Sequence, residues 1–341
     1  MFKYKKRVLF LYYDPHYFHS ELAKALKADF YPSLKLKSEK TNMFTGGLGI
    51  LRAVFTLPRD YDIYFCEGTY IIPALAKKFG LIKKDAKIVN ILASPLLYYI
   101  KTGLIKRVRQ KFAIELLKEV DLFLCLGKME DRLLKEIIPD AKSIVVYPVI
   151  KTEVNKKFIG KKVNLPYLNR HKILTIGTNS AYYKGIDITF ESFKIVKKRF
   201  PDSELTIAGN INDLNKYVDC NYPGVHCIGY AKDVVKLIKN SSLYVHMGRG
   251  DTFPLSSLEA MLGGLPTIVS EWTGTKEVVQ NINSNYIAPL KSRDLADIII
   301  NHFNKKATQK KALSIRFREA AIEFSKRDII KNFKLNFDKY G

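Results

Sequence analysis

Residues 242–279 read SLYVHMGRGDTFPLSSLEAMLGGLPTIVSEWTGTKEVV, and this stretch decides the fold class. Its apolar run Leu243–Met247 is typical of a short parallel strand that is buried on both faces. Glycine and proline residues between Gly248 and Pro254 then predict a loop, because both residue types interrupt regular structure. A strand followed directly by such a loop is the first part of a strand–loop–helix unit.

The second half of the stretch predicts a helix, a turn and another strand. Ser256 or Ser257 is expected to cap the helix, since a serine oxygen accepts hydrogen bonds from the first backbone N–H groups. The pair Gly263–Gly264 is expected to end the helix. The run Thr267–Ser270 then predicts a second strand, and Gly274 opens a further helix. Strands that alternate with helices in this way indicate an α/β domain.

The junction between the loop and the helix has the chemistry of a nucleotide-sugar site. The start of a helix offers unpaired backbone N–H groups and a partial positive charge, which suit a phosphate. Asp251 lies in the loop and Glu259 lies in the second turn of the helix, so two carboxylates bracket the helix start. Carboxylates accept hydrogen bonds from sugar hydroxyls. The alternative is an ordinary strand–turn–helix unit in which Glu259 is a solvated helix residue.

The same residues resemble the donor-site signature of family 4 glycosyltransferases, which have the GT-B fold. That signature is an acidic residue, seven others, a glutamate, then Ala-Met and Gly-x-Pro. In this chain it is formed by Asp251, Glu259, Ala260, Met261, Gly264 and Pro266. The chain departs from the family at Asp251, where glutamate is usual, and at Thr252-Phe253-Pro254, where Gly-Phe-Gly is common. The resemblance is strong over residues 173–340 and only architectural over the first 150.

A second part of the resemblance lies in the loop after the predicted strand Ile173–Gly177. There the family usually has an arginine and then Lys-Gly, and both cations grip the donor diphosphate. Lys184-Gly185 matches the second part, whereas Thr178 or Asn179 stands at the arginine position. Arg249 is a candidate replacement for that cation.

The resemblance implies a role for each residue of the donor site. Glu259 would hold the nucleotide ribose, Asp251 would contact the donor sugar, and Lys184 would neutralise the diphosphate as it leaves. The backbone amides around Leu255–Ser257 would assist Lys184. The other expected donor-binding residues are Thr178, Asn179, Gly209, Asn210, Tyr230, Arg249, Thr252, Phe253, Pro254, Leu255 and Ser256. The family retains the anomeric configuration without a metal, so no metal and no cofactor is expected beside the nucleotide-sugar substrate.

Length and composition indicate a two-domain globular protein. A chain of 341 residues with 47% hydrophobic residues is long enough to bury two cores. It has no apolar run of about 18 residues, so no transmembrane helix is expected. The apolar run Val8–Tyr13 is too short for the core of a signal peptide. Together these features favour a cytoplasmic protein.

The net charge of +24 favours an anionic partner. A diphosphate donor, a phospholipid surface and nucleic acid are the candidates, but the sequence carries no recognisable nucleic-acid motif, so nucleic acid is not expected. Solvated lysine-rich faces would explain the same charge. The four cysteines form neither a Cys-x-x-Cys pair nor a zinc set with histidine. Cys66 and Cys125 are expected in the core, and Cys220 and Cys227 are expected to be structural.

The first half of the chain also alternates strands with helices, which predicts a doubly wound domain with a parallel sheet. Ligands of such sheets bind at the carboxyl ends of the strands. The candidates for an acceptor-side lining at these ends are Asp14, His16, Glu67, Gly68, Ser94 and Pro95. The predicted boundaries are an acceptor-side domain at 1–150, a linker at 151–170, a nucleotide-sugar-binding domain at 171–323, and a terminal helix at 324–341 that crosses back to the first domain.

A basic segment at residues 96–118, LLYYIKTGLIKRVRQKFAIELLK, has two interpretations. Apolar residues recur at helical spacing at Leu104, Val108, Phe112 and Leu116, and a basic face is supplied by Lys106, Arg107, Arg109, Lys111 and Lys118. The helix at 101–118 either lies on an anionic membrane or packs into the core with its lysines in solvent. Because family 4 enzymes with lipid-borne acceptors often use such a surface, membrane contact is slightly favoured.

The sequence therefore predicts a GT-B protein made of two Rossmann-like doubly wound domains that face a cleft. The expected activity is transfer of a sugar from a nucleotide-diphosphate donor to the hydroxyl of an acceptor, with lipid-linked and cell-surface glycans as candidates. The expected location is cytoplasmic, with peripheral attachment at the inner face of the membrane as a variant. The alternatives are another GT-B enzyme, such as a nucleotide-sugar epimerase, and a non-catalytic chain that binds an anionic partner.

Overall fold

The computed structural model describes residues 6–13, 15–32, 43–150, 152–159, 167–177, 180–325 and 328–339. The chain divides into two compact units. Residues 1–148 together with 328–341 form the first unit, and residues 149–327 form the second. Among the described helices, none has the length and apolar character that a membrane crossing requires.

The first unit is built on a six-stranded parallel sheet with the order β2-β1-β3-β4-β5-β6. The strands are β1 (Val8–Tyr12), β2 (Asp29–Pro32), β3 (Ile63–Glu67), β4 (Lys87–Leu92), β5 (Leu122–Cys125) and β6 (Ser143–Val145). The helices are α1 (Tyr17–Ala25), α2 (Met43–Phe55), α3 (Ile71–Lys78), α4 (Leu96–Lys101), α5 (Arg107–Leu117) and α6 (Lys128–Ile137). The strand order reverses direction beside β1, so right-handed crossovers place helices on both faces. Strands covered on both faces must be apolar throughout, and β5 is fully buried.

The second unit repeats this plan with the order β12-β11-β10-β7-β8-β9. Its strands are β7 (Lys172–Gly177), β8 (Glu204–Gly209), β9 (Val225–Cys227), β10 (Leu243–His246), β11 (Thr267–Ser270) and β12 (Ile287–Ala288). Its helices are α7 (Thr152–Phe158), α8 (Ile186–Arg199), α9 (Ile211–Leu214), α10 (Val234–Asn240), α11 (Leu255–Leu262), α12 (Lys276–Ile282), α13 (Ser292–Phe303) and α14 (Ala307–Ser325), with a 3-10 helix at Ser284–Tyr286. Two parallel sheets with helices confirm the predicted doubly wound α/β class.

The chain ends in a short helix, α15 (Ile329–Phe337), which packs on α1 in the first unit. Asp328 caps this helix by accepting a hydrogen bond from the backbone N–H of Lys331. The side chains of Phe333 and Phe337 on this helix are buried. The sequence analysis placed one terminal element at 324–341, whereas the structure continues α14 to Ser325 and begins α15 at Ile329.

Residues 151–170 contain a helix that the sequence analysis did not predict. This helix, α7, ends at Phe158, whose side chain is fully buried in the second unit. Arg318 on α14 donates a hydrogen bond of 2.7 Å to the carbonyl oxygen of Phe158. A Cβ atom on Gly263 would lie 3.1 Å from the ring of Phe158, so that glycine makes room for the aromatic side chain. Of the side chains described on α7, only that of Phe158 is buried, so the helix shows no apolar periodicity in the sequence.

The predicted helix at 101–118 is two helices in the structure. Helix α4 ends at Lys101, and Gly103 follows with a φ of +71°, a left-handed conformation that breaks a helix. Helix α5 begins only at Arg107. Tyr98, which the sequence placed before a basic surface helix, is 6% exposed and therefore part of the core.

A disulfide bond joins Cys220 to Cys227, so it ties the segment after α9 to the edge strand β9. The sequence analysis gave these cysteines a structural role without pairing them. Cys66 and Cys125 are buried free thiols, as expected, and burial raises the pKa of both. Thiols that are buried in apolar surroundings are unreactive, so these two act as core residues.

Candidate functional site

The candidate donor site lies at the carboxyl ends of strands in the second unit. Two loops form its centre: one follows β7 and ends at Gly185, and the other runs from Met247 to Pro254 between β10 and α11. Parallel strands present their carboxyl ends at one edge of the sheet, so loops that are distant in sequence meet there. Of the expected donor residues, Thr178 and Asn179 lie outside the described residues.

Asp251 is at the centre of a buried three-residue cluster. Its Oδ2 atom accepts a hydrogen bond of 2.7 Å from the Nζ atom of Lys184. The same oxygen lies 2.7 Å from Nε2 of His246, the last residue of β10. Asp251 is 5% exposed and His246 is fully buried. The structure therefore brings the predicted residues Asp251 and Lys184 into direct contact and adds His246, which the sequence analysis missed.

The electrostatics of this cluster favour a charged aspartate and a neutral histidine. Burial raises the pKa of Asp251, but the Lys184 charge and the hydrogen bond from His246 outweigh it and hold that pKa below its ordinary value. Burial lowers the pKa of His246, against the opposing effect of Asp251. A neutral imidazole donates its single Nε2–H to the carboxylate. Nδ1 then carries a lone pair, and it has no hydrogen-bond partner within the described part of the chain.

Arg249 makes a second ion pair in the same pair of loops. Its guanidinium donates two hydrogen bonds, of 2.8 and 2.7 Å, to the carboxylate of Asp187 on α8. It also contacts the carbonyl oxygen of Tyr182 and lies 4.0 Å from the centre of the Tyr182 ring. Arg249 therefore has a structural role, because it joins the loop after β10 to the start of α8. This role competes with its expected role as a cation for the diphosphate.

Backbone contacts bring the two loops together. The N–H of Arg249 donates to the carbonyl oxygen of Tyr183, and the Tyr183 hydroxyl donates to the carbonyl oxygen of Gly250. Gly185 has a φ of +67°, and a Cβ atom at this position would lie 1.9 Å from the carbonyl oxygen of Met247. Only glycine fits such an approach. The Lys-Gly pair found in the sequence therefore supplies both a cation and a close contact.

The start of α11 differs from its predicted capping. The helix begins at Leu255 with Pro254 at the cap position, and no side chain caps it. Ser256 and Ser257 lie inside the helix, so the predicted serine cap is wrong by two to three residues. Ser256 accepts a hydrogen bond from Tyr244, and the buried Ser257 hydroxyl has no partner among the described residues. No side chain caps the start of α11, and the Ser257 N–H donates a hydrogen bond to the carbonyl oxygen of Pro254.

Three other residues of the predicted donor site, Glu259, Thr252 and Phe253, are half-buried or buried. Glu259 is half-buried in the second turn of α11. Thr252 and Phe253 are 6% and 4% exposed, and the Phe253 ring is stacked on Phe324 with its centroid 5.4 Å away. Their burial fixes the loop, so the loop is rigid on its inner side. Gly274 contributes to this, since its N–H donates to the carbonyl oxygen of Asp251.

Three further predicted residues lie at or near the ends of β8 and β9. A Cβ atom on Gly209 would lie 2.1 Å from the carbonyl oxygen of Gly177, so the ends of β7 and β8 need glycine there. The Asn210 side chain caps α9 by accepting hydrogen bonds from Asn212 and Asp213. Tyr230 is 56% exposed. Asn210 thus has a local structural function, whereas the Tyr230 ring is accessible.

Two of the predicted acceptor-side residues, His16 and Glu67, lie together in the first unit. Oε1 of Glu67, the last residue of β3, lies 2.6 Å from Nδ1 of His19 and accepts a 3.2 Å hydrogen bond from the N–H of His16. His19 is 4% exposed and was missed by the sequence analysis, although it lies three residues after His16. Ser94 is half-buried after β4, and Asp14 lies outside the described residues. The cluster is an imidazole–carboxylate pair at the carboxyl edge of the sheet.

In the described part of the chain, no group of three His, Cys, Asp or Glu side chains is placed to hold a metal ion. The sequence Asp60-Tyr61-Asp62 has two aspartates with metal-ligand spacing, but it precedes β3 at the amino edge of the sheet. The Asp62 carboxylate there accepts hydrogen bonds from the N–H of Arg7 and from Lys83.

Residues 170–305, which contain the loops just described, match the family model of Glycosyl transferases group 1. Over these residues the chain is similar to the glycosyl transferases group 1 family. The group 1 stretch covers Lys184, His246, Asp251 and Glu259, so the cluster lies inside the matched domain. The finer assignment to family 4 stays a prediction.

Curated relatives match stretches of similar length. An uncharacterized glycosyltransferase of Haemophilus influenzae is 29% identical over 133 residues, which are 37% of this chain and 37% of that protein. The N,N'-diacetylbacillosaminyl-diphospho-undecaprenol alpha-1,3-N-acetylgalactosaminyltransferase of Campylobacter jejuni is 24% identical over 157 residues, 45% of this chain and 40% of that protein. The matched part thus spans about two fifths of the length of these relatives.

Solved structures extend the likeness to the whole fold. Anabaena HepE, solved in complex with UDP and glucose, matches 98% of this chain and 99% of its own, with a TM-score of 0.67 and 16% sequence identity. At this identity the likeness is one of fold. It confirms the predicted GT-B class of two Rossmann-like units.

Proposed function

We propose that this protein is a glycosyltransferase that moves a sugar from a nucleoside-diphosphate donor to an acceptor hydroxyl. The observation that carries the proposal is the Lys184–Asp251 ion pair beside the uncapped start of α11. A fixed ammonium group and the positive end of a helix suit a departing diphosphate, because both stabilise the negative charge that develops as the sugar leaves. The group 1 match over the same residues supports this proposal.

Each residue of the cluster then has a role in the transfer. Lys184 and the first amides of α11 bind the diphosphate, and Glu259 binds the ribose. Because the Asp251 carboxylate is nearly inaccessible and is shared by two donors, we assign it chiefly to holding Lys184 in place rather than to the donor sugar. The reaction proposed needs no metal, since the protein supplies the positive charge at the leaving group. Retention of the anomeric configuration is proposed from the family 4 resemblance.

The acceptor we propose is a glycan carried on a lipid diphosphate. The Campylobacter jejuni relative is named as acting on a diphospho-undecaprenol-linked sugar. A lipid-linked acceptor requires the protein to reach a membrane surface, and helix α5 of the first unit has a suitable surface. We call Leu104, Lys106, Arg107, Val108, Lys111 and Phe112 the α5 surface.

The exposure of the α5 surface distinguishes between the two interpretations of this basic segment. Leu104, Val108 and Phe112 are 56%, 81% and 55% exposed, and of the four apolar positions only Leu116 is buried. Core packing therefore accounts for Leu116 alone. An exposed apolar stripe flanked by cations fits an anionic membrane, because the apolar side chains enter the interface while the cations meet lipid phosphates. We accordingly propose peripheral attachment at the cytoplasmic face.

A thermal-shift screen tests the donor site. Wild type, Lys184→Ala and Glu259→Ala are compared with UDP, GDP, ADP and their sugars. A nucleotide sugar at about a hundred times its dissociation constant should stabilise wild type by about 2.7 kcal/mol, and both variants should lose the shift. Nucleotide release with a lipid-diphosphate glycan then measures transfer. A well-folded chain that responds to none of these nucleotides would overturn the proposal and favour the non-catalytic alternative.

Vesicle sedimentation tests the α5 surface. Binding is expected to vesicles that contain phosphatidylglycerol but not to pure phosphatidylcholine, and salt should weaken it. Leu104→Ser should reduce binding several-fold, whereas Leu335→Ser on α15 should not, although both leucines are 56% exposed. Equal effects of the two substitutions would contradict a specific docking surface.

A further inference from the structure

A cavity of about 560 Å³ lies in the second unit, away from the donor loops. It is lined by residues of the 3-10 helix Ser284–Tyr286 and by the last turns of α13. The 3-10 helix precedes β12, so the cavity lies at the amino edge of the parallel sheet. The loops that hold Lys184 and Asp251 lie at the carboxyl edge. The volume is within the range of small-molecule sites.

A buried tyrosine–histidine pair lines this cavity. The Tyr286 hydroxyl lies 2.6 Å from Nδ1 of His302, and the two residues are 2% and 1% exposed. Burial raises the pKa of Tyr286, so its hydroxyl is protonated. Burial, and then the charges of Lys310 and Lys305, lower the pKa of His302 to about 3, so its imidazole is neutral. The pair therefore carries two polar hydrogens.

Only one of these hydrogens can form the hydrogen bond between Tyr286 and His302. If the hydroxyl donates to Nδ1, the second hydrogen is on Nε2, which has no partner in the described part of the chain. If Nδ1–H donates to the hydroxyl oxygen, the hydroxyl hydrogen needs another acceptor. In either tautomer, one buried donor at the cavity has no acceptor among the described residues. A buried donor without an acceptor lowers stability, so an acceptor from a ligand is favoured there.

The other polar groups of the cavity determine which acceptor fits. Lys305 lines it and adds a positive charge, and the buried Lys310 ammonium lies close by, donating to the carbonyl oxygen of Phe303. These charges favour an anionic oxygen. Asn285 and Asn301, which have amide side chains, also line the cavity. Each amide both donates and accepts hydrogen bonds, which matches the hydroxyl groups of a sugar.

We propose that this cavity binds an anionic sugar, that is, a sugar phosphate or a sugar carboxylate. The anionic group accepts the spare hydrogen of the Tyr286–His302 pair and lies beside Lys305. The sugar hydroxyls meet the amides of Asn285 and Asn301. This site is separate from the donor site and does not depend on the proposed transfer reaction.

The test follows the imidazole of His302 directly. The full chain contains six histidines, so ¹⁵N-histidine labelling gives few ring signals, and His302→Gln assigns the one in question. Glucose 6-phosphate, glucuronate, glucose and inorganic phosphate are titrated in turn. We expect saturable shifts of the His302 ring nitrogens with one of the two anionic sugars, and the responding sugar distinguishes a phosphate from a carboxylate ligand. Glucose and inorganic phosphate should each bind more weakly.

Matched lysine variants complete the experiment. Lys305→Gln should weaken the binding of the anionic sugar about tenfold, as expected for the loss of one charge-assisted contact. Lys306→Gln, which removes the same charge from an exposed neighbour, and Lys184→Gln at the donor site should leave it unchanged. The proposal is overturned if neither anionic sugar shifts His302 at about 10 mM. Equal binding to Lys305→Gln and wild type, or inorganic phosphate binding as tightly as glucose 6-phosphate, would overturn it too.

Discussion

The Nζ atom of Lys184 and the Oδ2 atom of Asp251 are 2.7 Å apart, although 67 residues separate them in sequence. Lys184 retains 20% of its side-chain exposure, whereas Asp251 is enclosed. The buried aspartate therefore fixes the position of the ammonium group of Lys184. Because the lysine side chain is partly exposed, it can still reach a ligand. In the proposed function, Asp251 would act on the diphosphate through Lys184.

Replacing the aspartate by its neutral isostere tests this relationship. Asp251→Asn keeps the shape of the side chain but removes the charge that holds Lys184. If Asp251 is an anchor, the affinity for the nucleoside diphosphate should fall about tenfold, because the cation loses its fixed position. Isothermal titration with the nucleotide that responds in the thermal-shift screen measures the change.

The control for this variant is Asp297→Asn, which removes the same charge from an exposed position on α13. Its nucleotide affinity should equal that of wild type. Tighter nucleotide binding by Asp251→Asn would contradict the anchor role, since it would show that the aspartate mainly competes with the diphosphate for Lys184.

Gly185 should tolerate no side chain. Its φ of +67° is unfavourable for other residues, and a Cβ atom there would overlap the carbonyl oxygen of Met247. Gly185→Ala should destabilise the fold by at least about 1–3 kcal/mol and displace Lys184. Urea unfolding measures the loss of stability.

Gly47 provides a comparison for this substitution within helix α2. A Cβ atom at Gly47 would meet nothing within 4 Å. Gly47→Ala should therefore be neutral or stabilise the protein by up to about 1 kcal/mol, because alanine favours a helix. A Gly185→Ala protein as stable as the Gly47→Ala protein would refute the close approach of the two loops.

Acid should destabilise the protein through His302. Its pKa is about 3 in the folded state, against 6.5 as the ordinary value. Between these values the unfolded chain binds more protons than the folded chain, so stability is complete above about pH 6.5 and falls as pH decreases toward 3. The expected loss at pH 5 is about 2 kcal/mol from this residue.

Urea unfolding at pH 5 and pH 7.5 measures this effect of pH. His302→Gln should lower stability at pH 7.5 but reduce the difference between the two pH values. His226→Gln, a substitution of a histidine whose side chain is 51% exposed, serves as the control and should leave the difference unchanged. An unaltered difference in His302→Gln would show that His302 is not the group responsible.

Reduction of the disulfide should lower the thermal stability of the second unit. The bond between Cys220 and Cys227 closes a loop with a sequence separation of 7, for which the constraint on the unfolded chain is worth about 2 kcal/mol. Calorimetry with and without a reductant should therefore show a lower midpoint after reduction. A Cys220→Ser/Cys227→Ser protein should be insensitive to the reductant. An equal response of both proteins would point to an effect unrelated to this bond.

Much of the fold could be read from local sequence. The predicted strand Thr267–Ser270 is reproduced in full, and β10 ends one residue earlier than predicted. These elements follow from short apolar runs bounded by glycine or proline, which act locally. Helix α7 was missed because Phe158 is its single anchor and its partners, Gly263 and Arg318, are more than a hundred residues away.

The candidate site could be predicted only in part from the sequence. Spacing placed Asp251 and Glu259 on either side of one helix start, and the family resemblance added Lys184 and the sugar contact of Asp251, which stays a prediction. His246 is in the same quoted stretch, yet on a buried strand a histidine is indistinguishable from a core residue until its partner is known. Asp187 was also missed, because its pairing with Arg249 depends on how two loops meet.

The sequence by itself determined the elements, the strand–loop–helix units and the residue types at the loop-to-helix junction before α11, since each depends on neighbours within a few positions. Only the tertiary structure decided that Asp251 is enclosed between Lys184 and His246, and that Val108 and Phe112 face solvent while Leu116 is buried. The physical reason is that burial and ion pairing are set by side chains brought together from distant strands. Periodicity shows which face of a helix is apolar, but it does not show what covers that face.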